Sequence, residues 1–158
     1  KTYNIDGNIK KISEKSIDKA LIEASRGGFY EIIKLLIEHG ANIHAQNDAS
    51  LLAATINGCY NVIFFLVNLG SDIDNSEAII PASQFRNVRI LELFLEKGCN
   101  IHIKNDEALM VAAYYGNEKT VDLLIKHGAD VHSQNNRCLN YFINTPDGYR
   151  LRTIFDKF

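Results

Sequence analysis

One phrase returns four times along the 158 residues: Gly40-Ala41-Asn42-Ile43-His44, Gly70-Ser71-Asp72-Ile73-Asp74, Gly98-Cys99-Asn100-Ile101-His102 and Gly128-Ala129-Asp130-Val131-His132. Its glycines stand 30, 28 and 30 residues apart. A period of this size means a small supersecondary unit stacked on copies of itself, because one unit cannot bury its own apolar face and its neighbours must cover it. The chain is therefore expected to present an extended surface rather than a closed catalytic pocket.

Upstream of each phrase lies an apolar helical run, over residues 32–37, 62–67, 90–95 and 120–125. These runs are apolar nearly all round, which predicts helices sandwiched between neighbours, since a helix with a free face carries a narrower stripe. Ahead of each is a shorter, Ala-rich run at 20–25, 50–55, 78–83 and 108–113. Small residues let these inner helices approach closely while the bulkier outer ones splay, so the stack should curve. Glycines between the paired helices (28, 58 and 116) and after the second helix mark turns that need a positive φ. Asp48, Ser76 and Asp106 are expected to cap the inner helices that come after them.

Four units are read at 16–45, 46–75, 76–103 and 104–135. The third is two residues shorter between Asp74 and Ile79, carries Pro81 within its first helix and has Arg86 in place of the inter-helix glycine. It reads as drift in a copy held up by its neighbours, with a short or distorted first helix. Residues 136–158 fit a degenerate capping unit: a short helix at 138–143, a turn at 145–148 and a more polar second helix at 149–158. Residues 1–15 read as an N-terminal extension or the remnant of a preceding repeat.

The order of short helix, glycine turn, longer helix with a Val/Ile-x-x-Leu-Leu core and then Gly-Ala-Asp-Val, as in residues 121–131, resembles an ankyrin-repeat protein over roughly residues 16–135. The resemblance implies an all-α solenoid of stacked helix-turn-helix units. Ankyrin repeats usually run ~33 residues and open on Thr-Pro-Leu-His. That opening is absent here, and Asn47-Asp48-Ala49 and Asn105-Asp106-Glu107 reach the first helix early, so the hairpin fingers should be short and blunted. The abbreviated repeats, with their Asn-, Ile- and Lys-rich usage, are similar to the ankyrin families of giant DNA viruses.

A net charge of −2 and a pI near 6.2 give no basic footprint for nucleic acid or an anionic membrane surface. The longest apolar runs are far shorter than the ~20 residues that cross a bilayer, and no charged-then-apolar leader opens the sequence, so a cytoplasmic location is expected. Cys59, Cys99 and Cys138 fit no zinc spacing and read as thiols in a reducing compartment. His44, Asp74, His102 and His132 share one register, but equivalent positions in packed helices lie ~10 Å apart, too far for common metal ligands at ~2.1 Å. His39 and His127 precede helix-ending glycines, where an imidazole meets the helix C-terminus favourably. No phosphate-binding loop, nucleophile elbow or HExxH is present. Neither cofactor, metal nor catalysis is expected.

In proteins of the resembled family the partner lies against the inner helices. The matching positions are Glu23, Arg26 and Gly27, then Ala53, Ile56 and Asn57, then Pro81, Gln84 and Phe85, then Val111, Tyr114 and Tyr115. Arg26, Ile56, Phe85, Tyr114 and Tyr115 are the candidate partner-binding residues, because aromatics on a rigid scaffold bury much area at small entropic cost. The alternative for the tyrosines is packing against the next unit. The expected function is a non-enzymatic protein-interaction module, monomeric or part of a longer chain, serving as a viral adaptor towards its host. The competing readings are a scaffolding fragment of a larger enzyme or ubiquitin-ligase subunit, and self-assembly.

Overall fold

A computed structural model describes residues 14–85 and 88–144. Among these residues there are helices and turns and no strand: α1 (Glu14–Gly27), α2 (Tyr30–Glu38), α3 (Ala45–Ile56), α4 (Tyr60–Asn68), α5 (Ile79–Ala82), α6 (Arg89–Glu96), α7 (Glu107–Tyr114), α8 (Glu118–Lys126) and α9 (Ser133–Asn144). Odd-numbered helices form an inner row in which α1, α3, α5, α7 and α9 touch in succession, and each of α1, α3, α5 and α7 packs on the outer helix next in the chain. The all-α repeat solenoid is as the period requires. Arg86, residues 1–13, the turn at 145–148 and the helix expected at 149–158 lie outside the described residues.

The core arises from the two helix types. Ala24, Ala54, Ala78, Ala82, Ala108, Ala112 and Ala113 are buried along the inner row, where a larger side chain would hold the helices apart. Outer helices supply the bulk: Ile33, Ile63, Leu66, Leu91, Phe94, Val121 and Leu124 are buried beside them. At the end of α1, Gly28 takes φ +71°; its N–H donates to Ser25 O at 3.2 Å and the Phe29 N–H to Ala24 O at 3.0 Å. That paired closure needs a left-handed residue, which glycine supplies without a Cβ clash. Gly40 closes α2 the same way, at φ +89°.

Each recurring phrase folds as one device. Asn42 Oδ1 accepts the N–H of His44 at 2.9 Å, and Asp72, Asn100 and Asp130 do the same for the residue two further on. The side chain thus mimics a backbone turn. Beyond it the backbone makes a left-handed turn rather than a hairpin. Gln46, Asn47 and Asp48 have φ of 54°, 58° and 54°, and Lys104–Asp106 and Gln134–Asn136 repeat the pattern. Left-handed conformation strains most L-residues by roughly 1–2 kcal/mol each, and Asn and Asp tolerate it best. This is why Asn-Asp, Asn-Asp and Asn-Asn occupy these turns. In the matching turn of the two-residue-shorter third unit one residue, Glu77, is left-handed.

Two expectations need correction. Asp48, Ser76 and Asp106 do not cap their helices; α3, α5 and α7 have no side-chain cap bond. The Asp48 and Asp106 carboxylates instead accept the N–H of Asp72 at 3.0 Å and of Asp130 at 3.2 Å in the next recurring phrase, and the Ser76 hydroxyl donates to Ile73 O at 2.9 Å. A left-handed turn aims the two aspartates along the stack, away from the helix N-terminus they precede. Nor is every outer helix sandwiched, because α2 leaves Ile32 and Leu35 in water. The third inner helix is indeed short, with Pro81 inside the first turn of four-residue α5, where its missing N–H costs nothing.

Candidate interaction surface

The inner helices set the candidate residues in two adjacent rows. Arg26, Ile56, Gln84 and Tyr114 share one register, and Gly27, Asn57, Phe85 and Tyr115 the next. Between α1 and α3 opens a cleft of ≈ 440 Å³. Ile22, Ala49, Leu52 and Ala53 give it an apolar lining, and the exposed Lys19, Glu23, Arg26 and Ile56 border it. Arg26 Nε lies 3.3 Å from Glu23 Oε2, an exposed pair worth less than about 1 kcal/mol, so a partner's carboxylate can displace it cheaply.

The five candidates thus do not form one patch. Arg26 and Ile56 line the same cleft. Tyr114 and Tyr115 are half-exposed two repeats further on, with ring centroids 5.2 Å apart in an edge-to-face arrangement. Phe85 is half-buried, its ring about 3.8 Å from where a Cβ on Gly58 would stand, so it covers the turn of the preceding repeat.

The largest unexpected feature is on α2. Phe29, Tyr30, Ile32 and Leu35 are all exposed there. Ile32 and Leu35 match in type the buried Val62, Ile90 and Leu93 at their positions in later units, so only knowing that no described unit precedes α1 would have marked them.

Chemistry is muted elsewhere. Burial pushes the Cys99 and Cys138 thiols up to about 12, helped by the Asp74 and Asp106 charges respectively, and burial raises Cys59 as well. Such thiols stay protonated at neutral pH and make poor nucleophiles. The His39 and His127 Nδ1–H groups donate to Leu35 O at 2.7 Å and Leu123 O at 2.8 Å, closing the carbonyl ends of α2 and α8 as their position before the glycines suggests. Among the described residues no three His, Cys, Asp or Glu side chains converge on a metal position, and no helix is long and apolar enough to cross a membrane.

No curated protein matches the sequence. The family profile described as "Ankyrin repeats (3 copies)" matches residues 4–77 and again 51–135, most of the chain. Repeats of this kind are generally protein–protein interaction modules. With its stacked helix pairs and glycine-closed turns in the same register as that match, this chain belongs to the ankyrin-repeat family.

Proposed function

We propose that the chain recognises a partner protein through its inner-helix face, anchored in the cleft between α1 and α3, with the Tyr114–Tyr115 pair as a second contact. The carrying observation is Ile56: a large aliphatic side chain held in water at the mouth of an apolar cleft, on a helix whose backbone is fixed by neighbours on both sides. Covering such a side chain favours association, and a rigid scaffold loses little entropy in doing so. Arg26 and Lys19 at the border suit an acidic residue beside the partner's apolar anchor. The short turns and the Asn-, Ile- and Lys-rich usage support a host-directed adaptor of giant-virus type acting in the cytoplasm.

A photo-crosslinking residue placed at position 56, and in parallel at the outward-facing position 64, tests this in cells that contain the natural partner. Crosslinks are expected from 56 and not from 64. Ile56→Arg should weaken the captured complex at least about tenfold without changing the unfolding midpoint. Crosslinks to one partner from 64 alone would move the binding face to the outer helices.

A further inference from the structure

The apolar face left bare on α2 has covered counterparts among the described residues of the next three units, and these identify what is missing. Ile32 is 50% exposed, whereas Val62, Ile90 and Thr120 in the same register are 1%, 3% and 1% exposed. Phe29 and Leu35 stand three residues to either side of Ile32 on the same helical face, 57% and 54% exposed. The counterparts of both point towards the unit before them. At the Phe29 position, the Cys59 Sγ lies against Gly28, and the Asn117 Nδ2 donates to Ser83 O at 3.1 Å and Gln84 O at 2.8 Å. At the Leu35 position, Phe65 meets the Tyr30 ring edge-on at 5.1 Å.

We infer that this face seats a further helix pair of the same repeat type, lying ahead of α1 in the natural chain. The covered counterparts meet two different elements of the preceding unit, the turn after its inner helix and the flank of its outer helix. One helix pair with its turn supplies both. A second copy docking α2 against α2 would bring no inner-helix turn to Phe29. The family profile also begins its match at residue 4, upstream of Glu14, so repeat-type sequence runs towards that side. This surface is separate from the cleft at Ile56 and stands or falls independently of it.

The test compares the natural chain, with whatever sequence precedes Lys1, against the 158-residue chain. Amide hydrogen exchange over Tyr30–Glu38 is measured in wild type and in Ile32→Asp/Leu35→Asp. In the longer chain the double variant should speed exchange at least about tenfold, and in the 158-residue chain less than about twofold, because there the face is already wet. Ile32→Ser/Leu35→Ser provides the same comparison if the charged pair does not fold. An upstream sequence without a helix pair in this register overturns the inference. So does an equal effect in both chains, with sedimentation telling a second copy from a cover within the first 13 residues, and so does no effect in either.

Discussion

One oxygen of Asp48 holds two donors from different parts of the chain: the imidazole Nδ1–H of His44 at 2.9 Å and the amide of Asp72 in the next recurring phrase at 3.0 Å. Asp106 repeats the arrangement with His102 and Asp130. At the shortened junction into the third unit serine stands at this register and aspartate at the histidine register, and the carboxylate of that Asp74 reaches the Asn100 amide at 2.7 Å. The bond between successive phrases is therefore kept by moving its acceptor two residues along the chain. Removing such an acceptor takes away a part-buried hydrogen bond to a charged group, worth on the order of 1–3 kcal/mol. Asp106→Ala should lose that much in urea unfolding, while Asp122→Ala, whose side chain pairs only with Lys126 on the surface of α8, should lose less than about 1 kcal/mol. Equal losses would mean that the bond between successive phrases carries no weight. Sequence alone pointed at these aspartates for the wrong reason. An Asp ahead of an Ala-rich run looks like a cap, and nothing local says that the backbone turns left-handed and aims it at the next phrase.

At the scale of the element, the helices were legible because their residues alternate between two chemistries, small on the inner row and bulky on the outer. The glycine turns were legible because few other residues take φ near +70° cheaply. What the pattern could not convey is which copies have neighbours. Ile32 and Ile90 occupy the same position in the same kind of helix, yet one is half in water and the other is buried. Ile90→Ala should cost about 2–4 kcal/mol, the lost burial together with the cavity it leaves. Ile32→Ala in the 158-residue chain should cost less than about 1 kcal/mol, since much of its side chain gains nothing from folding. Matched denaturation curves decide it, and equal costs would show that α2 is covered in solution. The candidate residues divide along the same line. Arg26 and Ile56 needed only helical register to be placed together in one cleft, whereas the half-burial of Phe85 depends on the turn beneath it.

For the whole molecule, a stack in which each unit touches only its neighbours has a stability that sums unit and interface terms, so the poorest unit decides where cooperativity breaks. That unit is the third. Its inner helix α5 has four residues, against eight in α7 and the run over 49–56 that follows the left-handed turn in α3, and two of the carbonyls just after α5 are held by Asn117 from the next repeat. Asn117 stands where the second unit has cysteine and the first phenylalanine, so the fourth unit carries a side chain that steadies its weak neighbour. Leu91 on α6, fully buried, is where that neighbour can be weakened further. Leu91→Ala should cost about 2–5 kcal/mol and split a single unfolding transition into two, with α7 and α8 exchanging their amides separately from α1–α4. Val121→Ala in the fourth unit serves as the control and should lower stability while α1–α4 keep their protection. Because the cleft at Ile56 lies between α1 and α3, a partner bound there as proposed should still protect α1–α4 in the Leu91 variant and leave the C-terminal units unprotected. One cooperative transition in that variant would mean that the short third helix transmits stability as well as a full one does.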